Sequence, residues 1–422
     1  MWANLVNALR IKELKVRFLN TILVLALIRI GTYIPVPYIQ VAKLRELVEQ
    51  GGILGLLNLF SGGGLANASL FALGVLPYIN ASIIMQLLTA VIPRLEQLAR
   101  EEGQEGRETI QRYVRYMTVA LATLQSYAMS VALFRLGLLQ QGDFLALSVI
   151  TLALASGAML ILWLGELLTE IGIGNGVSLI IFSGIVARLP SSAMTTVQFI
   201  RTGELHIFTL ALGLLGGVLL LAATIYTYQA ERRIPVQYAR RIVGRRVYGG
   251  QSTYLPLKLI QAGVLPIIFA SSVLVFPSSI AQFVGGAALK RIGELLADSH
   301  TLLHNSLYFL LIIFFTYFYT SIAFDPLRLS NDIKKYGGYI PGIRPGEATA
   351  SYISTVLSRT TLPAAIFLGL IAVSPNIFTS LFQMRAFIFG GTALLIVIGV
   401  ALETMRQIES YLLIRHYEGL LK

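Results

Sequence analysis

The stretch GVLPYINAS at residues 74–82 returns as GVLPIIFAS at residues 263–271, with seven of nine positions identical. Each copy lies in a long apolar segment, so part of the match is compositional. A shared GVLP with Ile and Ala-Ser in register is more than common apolarity. What the two copies mean depends on where they sit among the other apolar segments. Over half of the 422 residues are hydrophobic (55%) and only 13% are charged. That is more apolar surface than a soluble core buries, and it places the chain in a bilayer.

A span takes about 20 mostly apolar residues. Ten segments qualify: 17–35, 68–92, 113–134, 146–167, 177–195, 205–228, 260–282, 304–324, 360–377 and 386–404. With a cytoplasmic N-terminus, 24 of the 33 Lys and Arg fall on the cytoplasmic side, eight fall opposite, and Arg29 lies inside span 1. The bias follows the positive-inside rule and puts both termini in the cytoplasm. No short apolar stretch near Met1 ends in a cleavage site, so no signal peptide is expected. In residues 1–16, Trp2, Leu5, Val6 and Leu9 share a helical face beside Arg10, Lys12 and Lys15. This reads as an interfacial helix or as an extension of span 1.

The two copies occupy spans 2 and 7, the second members of two five-span halves. An odd number of spans per half reverses the second copy in the membrane. The reading is therefore an all-α polytopic membrane protein of ten transmembrane helices in two inverted five-helix halves (17–195 and 205–404) with a tail at 405–422. Such architectures place the working site at the midplane between the halves. The matched prolines Pro77 and Pro266 read as matched helix interruptions pointing to it. Ahead of the first copy stands ILGLLNLFSGGG (53–64), an apolar helix too short to cross a bilayer, broken by Gly62, Gly63 and Gly64.

A substrate-coupled transporter needs ionisable groups at the midplane, and these spans are nearly free of them. Arg29 sits toward the outer end of span 1, within snorkelling reach of the interface, and Glu166 and Glu170 lie at the cytoplasmic end of span 4. Val75 and Ile79 are four residues apart on one helix face, as are Val177 and Ile181. If these faces meet, they form an aliphatic collar that seals by dewetting. On spacing alone, ordinary helix packing accounts for each of them. Asn80, Ser82, Gln86, Gln125, Ser271 and Ser272, on spans 2, 3 and 7, are placed to hydrogen-bond between helices. Such contacts are worth about 0.6 kcal/mol each, either as a seam that opens or as static glue.

Two cytoplasmic loops, 229–258 and 325–360, are too long for plain connections. Their Arg pairs and Gly/Pro turns suit an acidic partner or RNA. Absent cysteine excludes disulfides and thiolate chemistry. GIGNGVS (172–178) lacks the GK[ST] ending of a phosphate loop. His300 and His304 have ligand spacing but no third ligand. No enzyme motif and no cofactor site is read, so any energy source is external.

LNLFSGGGLANASLFALGVLPYINASIIMQLL, TEIGIGNGVSLIIFSGIVARLP, ERRIPVQYARRIVGRRVYGGQSTYLPLK, AGVLPIIFASS, FDPLRLSNDIKKYGGYIPGIRPGE and QIESYLLIRHYEGLLK resemble the SecY family, the channel subunits of bacterial protein translocons. The resemblance covers essentially the whole chain. It implies an hourglass channel between the halves, closed by a plug at about 55–66 (Leu56, Leu57, Asn58, Leu59, Phe60, Gly62, Gly63, Gly64), whose glycines serve as a flexible swivel. It implies a pore ring of Val75, Ile79, Val177, Ile181, Ile268 and Ile396. It also implies a lateral gate of spans 2–3 against 7–8 that holds the six polar residues above and releases helices into lipid. Arg245, Arg246 and Arg344 match positions that dock the SecA ATPase or the ribosome and its rRNA. SecE and SecG subunits, signal peptides and nascent polypeptides are the other implied partners, in the cytoplasmic membrane. The sequence departs from the family at Val75 and Val177 in the ring, at Ile171 and Arg107-Glu108-Thr109 where basic residues are frequent, and at Tyr38 where glycine is. On residues alone, a small-solute secondary transporter and a pore-less insertase scaffold remain alternatives.

Overall fold

The computed structural model describes residues 11–49, 52–100, 103–140, 143–203, 206–238, 241–243, 246–248, 252–261, 263–284, 291, 293, 296, 301–382 and 391–420. The interfacial helix expected before residue 11, and with it His300 and Arg245, lie outside this set.

The first half begins with α1 (Lys12–Gly31), continues through two short helices, α2 (Val41–Glu49) and α3 (Gly52–Phe60), and reaches α4 (Leu76–Val91). Next come α5 (Pro93–Arg100), α6 (Gly103–Arg135), α7 (Phe144–Ile171), α8 (Gly176–Val186) and α9 (Leu189–Arg201). The second half holds α10 (Ile207–Gln229), α11 (Leu265–Val284), α12 (Leu302–Ala323), α13 (Pro326–Lys335), α14 (Glu347–Phe382) and α15 (Gly391–Leu420). Among the described residues, six pieces are long and apolar enough to cross a membrane by themselves, and α4 with α5 makes a seventh, bent by 106°. The bend is at Pro93, which leaves Ile92 in extended backbone. The expected start of span 10, residues 386–390, lies outside the described residues. Span 1 is α1, where Lys15, Arg17 and Arg29 interrupt the apolar run, and spans 7 and 10 are α11 and α15. On α10, Leu214, Leu215, Val218 and Leu219 are exposed, as a lipid-facing surface requires.

The structure corrects the sequence reading at the prolines. Pro77 and Pro266 do not interrupt their helices. Each is the second residue of one, α4 or α11, in the first turn, where the missing N–H has no helical partner to lose. Span 2 therefore starts at Leu76 and not at residue 68, and residues 61–75 are a chain of turns. The repeat shows itself in backbone geometry instead. Gly74 and Gly263, opening the two copies, have φ of 56° and 60°, the left-handed region that glycine enters without strain.

The long apolar segments are helical, but the two long loops, 229–258 and 325–360, contribute β structure. Strand β1 (Glu231–Tyr238) pairs antiparallel with β4 (Ser252–Lys258) on one side and β5 (Gly338–Tyr339) on the other. Ile234 lies opposite Leu255, and Gln237 opposite Tyr339. A hairpin of β2 (Arg241–Val243) and β3 (Arg246–Tyr248) extends from it. Ile234, Val236 and Leu257 from the first loop share a core with Ile333, Ile340, Ile353 and Leu357 from the second. The two loops are thus one folded unit. The second is not a loop to residue 360, because α13 and the first turns of α14 occupy it. Likewise, the tail continues α15 without a break to Leu420.

Candidate functional site

Four helices carry the expected ring residues at or near their starts. Val75 is the N-cap of α4 and Ile79 lies one turn on. Val177 and Ile181 are in the first turns of α8, whose N-cap Asn175 accepts from the Ser178 N–H at 3.0 Å. Ile268 is in the first turn of α11 and Ile396 near the start of α15. Val75, Ile79, Ile181, Ile268 and Ile396 are each no more than 3% exposed and belong to one hydrophobic cluster. Val177 is half-buried against that cluster. The six come from both halves of the chain, lie in or against that one cluster, and carry no polar side-chain atom. Aliphatic side chains that line a constriction exclude water and ions without binding what passes.

Helix α3 packs in a second cluster. Leu57 and Phe60 lie with Leu44 and Val48 of α2, Ile150, Leu154 and Ala158 of α7, and Val275 of α11. Leu56 and Leu59 have their backbone in α3. The turn after α3 is built, not loose. Gly62 and Gly63 have φ of 62° and 94°. The Asn58 side-chain oxygen accepts from the Ala66 N–H at 3.0 Å, its carbonyl accepts from Gly63 N–H at 2.9 Å, and Ser61 Oγ accepts from Leu65 N–H at 3.1 Å. Gly64 is required by space, since a Cβ there would sit 2.8 Å from Ser69 Oγ. In this conformation the glycines permit a hydrogen-bonded turn that other residues would strain. Gly62 also lies against Gly184 of α8, so near that a Cβ on either meets the other's Cα at 2.9 Å.

Sequence reasoning passed over one residue here. The Arg29 guanidinium does not snorkel to the interface. It turns inward, donating through Nη1 to the Gly62 carbonyl at 2.8 Å and through Nη2 to the Ser183 carbonyl. The signal available in the sequence was a cation well inside the apolar run of span 1.

Helix α11 packs against α4, α6 and α12, bringing the expected seam together. Asn80, Ser271 and Ser272 are buried, while Ser82, Gln86 and Gln125 are half-buried. Their described hydrogen bonds run along their own helices rather than between them, contrary to expectation. Gln86 Nε2 donates to Ser82 Oγ at 3.2 Å, and Ser271 Oγ to the Ile268 carbonyl at 2.9 Å. The Ser272 and Ser126 hydroxyls are buried with no partner among the described residues. Shape, not hydrogen bonding, holds these helices in register.

At the cytoplasmic mouth, Glu166 pairs with Arg115 at 2.8 Å. Burial, aided by the Arg406 charge, pushes the Lys258 ammonium below its usual pKa, against the opposing pull of Glu403 and Glu231. Arg344 stands exposed between β5 and α14, and its carbonyl accepts from Thr349 Oγ1 at 2.9 Å. Arg246 lies in β3 opposite Val243. Among the described residues there is no cluster of three metal-ligating side chains.

Comparison with known proteins agrees with this architecture. A family model described as SecY matches residues 69–405. The chain is 46% identical to the protein translocase subunit SecY of Mycobacterium tuberculosis over 448 aligned positions, covering 100% of both. It is 45% identical to that of Thermus thermophilus, covering 98% of this chain and 96% of the relative. Among solved structures, it resembles one described as a protein conducting channel (TM-score 0.70, 18% identity, 94% of this chain and 92% of that one). A second, on the SecY plug domain that stabilises the closed channel, has a TM-score of 0.69 at 18% identity and the same coverage. Canine Sec61 in a ribosome-channel complex has a TM-score of 0.65 at 17% identity, over 94% and 92%. The match runs through the collar, the outer helix and the seam alike, from end to end: the chain belongs to the SecY family.

Proposed function

We propose that this chain is the channel-forming subunit of a Sec translocase in the cytoplasmic membrane, with both termini in the cytoplasm. It passes unfolded polypeptides across the bilayer and releases apolar helices sideways into lipid. The observation that carries this reading is the aliphatic convergence of Val75, Ile79, Val177, Ile181, Ile268 and Ile396, on a chain matched end to end by translocase subunits. A collar without polar groups gives no solute a binding site, yet it yields to an extended chain of any sequence. The helix at 55–66 serves as the plug, with Leu56, Leu57, Asn58, Leu59, Phe60 and its glycine turn seated from the outer side.

The seam of α4 and α6 against α11 and α12, with Asn80, Ser82, Gln86, Gln125, Ser271 and Ser272, is the lateral gate for signal peptides. Among the described residues its polar side chains bond along their own helices, which favours sideways opening. The folded unit of the two cytoplasmic loops, with Arg245, Arg246 and Arg344, docks the SecA ATPase or the ribosome. These supply the energy, since the chain itself performs no catalysis. SecE and SecG complete the complex. A solute transporter finds no support among the relatives.

The missing cysteines make the test clean. Ile268→Cys is paired with a single cysteine in a secretory chain stalled partway across. A signal-dependent disulfide between them is expected. Crosslinks confined to lipid-facing positions of α4 and α11 would refute the pore ring and favour a scaffold.

A further inference from the structure

The charge inside span 1 has no role in the reading above. Arg29 lies in the last turn of α1, which ends at Gly31. Its guanidinium reaches Gly62, two residues past the end of α3, and Ser183, in the last turn of α8. The carboxyl ends of α1 and α3 and the junction of α8 with α9 therefore meet at one cation. A helix carboxyl end carries a partial negative charge from its carbonyls, so two such ends side by side favour a cation between them. The Ser183 carbonyl already accepts from the Ala187 N–H at 3.0 Å, so Arg29 takes its second lone pair. Between the two anchored carbonyls, Gly62 and Gly184 touch backbone to backbone. That contact has no interlocking side chains and little grip of its own.

We propose that Arg29 is the positioning residue of the closed channel: a fork that fastens the turn after α3 to α8 and so holds the plug in its seat. The proposal rests on the plug reading of residues 55–66. Arginine suits the task because its guanidinium presents several donors in a fixed planar fork and never loses its charge. A single ammonium on Lys cannot match that geometry at both carbonyls. When the plug leaves, only the Gly62 bond must break, while Ser183 keeps the cation satisfied. The fastening is therefore releasable and not a permanent tie. Its strength is that of one charge-assisted hydrogen bond.

The test uses the full chain, assembled with its partner subunits in liposomes. Arg29→Gln, Arg29→Lys and a deletion of residues 57–65 are compared for resting ion leak. In a parallel set, Ser61→Cys, which replaces a buried hydroxyl, reports the seat through its rate of labelling by an impermeant maleimide from the outer side. Arg29→Gln is expected to raise both leak and labelling roughly ten- to hundredfold, the factor implied by one lost charge-assisted hydrogen bond. Arg29→Lys is expected to fall between it and the parent. A deletion that leaves the leak unchanged refutes the plug reading itself. A deletion that leaks, with Arg29→Gln tight and Ser61→Cys protected, leaves the plug standing and overturns the fork. If Arg29→Gln does not assemble, Arg29→Lys carries the test, and a channel as tight as the parent refutes the proposal.

Discussion

Alanine at Gly74 and alanine at Gly263 make a matched pair, because the two glycines hold equivalent places in the repeat. Their φ angles are 56° and 60°, so each substitution forces a Cβ into the left-handed region, at about 1–2 kcal/mol. The surroundings differ. At Gly74 a Cβ would sit 2.8 Å from the Phe60 carbonyl oxygen and 2.9 Å from Ser61 Cα, both backbone atoms that cannot rotate away. At Gly263 a Cβ meets nothing within 4 Å. Overpacking of this kind adds about 1–3 kcal/mol. Gly74→Ala should therefore exceed Gly263→Ala by that margin. Its cheapest relief is to push Phe60 and Ser61, the end of α3, off their seat. The excess should then appear as ion leak in liposomes, roughly ten- to hundredfold above Gly263→Ala, while both variants lose some thermal stability. Equal leak from the two variants would refute the account, and so would a leak from neither with equal loss of stability.

Further outcomes follow from other positions. Ile79→Asn or Ile268→Asn places an amide without a partner in the collar, at about 1–3 kcal/mol against the closed state. Both should raise ion leak and admit precursors with defective signal sequences, and unchanged leak and export would count against the collar. Arg344→Glu, at an exposed position whose backbone is held by Thr349, should leave the fold intact and abolish SecA-driven translocation. Normal translocation in purified vesicles would refute that docking assignment. Tyr38 holds φ at 67°, so Tyr38→Gly should stabilise the chain by about 1 kcal/mol. A lowered melting temperature would show that the Tyr38 ring contributes more than the strain removes.

Much of the membrane body was legible because a bilayer imposes simple demands: length, apolarity and a charge bias. The burial of Val75, Ile79 and Ile181, with Val177 packed against them, was legible through their i, i+4 spacing, and that of Ile268 through the repeat. The cytoplasmic sheet was not. In β1 only Ile234 and Val236 alternate inward, amid Arg232, Arg233 and Gln237, and the strand's partners lie 15 to 27 residues away on β4 and 100 to 102 away on β5. Local pattern cannot reveal pairing over such distances. Three glycines in a row read as flexibility, but what they permit is the close approach of Gly62 to Gly184, visible only once α8 is placed beside them. Arg29 was noticed and given the usual fate of a stray cation near a helix end. Its acceptors are backbone carbonyls, which sequence does not display. Tyr38 departs from the family's glycine, and its positive φ is the physical reason glycine is favoured there.

Helix α14 runs 36 residues from Glu347, inside the cytoplasmic unit, to Phe382, and it packs along α12. At 1.5 Å per residue it is about 54 Å long. A rod that long turns angle into distance. Tilting its cytoplasmic end by about 5° moves a point halfway along by about 2 Å, comparable to a helix shift at a packed interface. Pro363 and Pro375 within it are the places where such a rod bends. A push on the end of α14 that lies in the β-containing unit therefore shifts its middle, where it packs along α12, with no need for a chain of side-chain rearrangements to carry it.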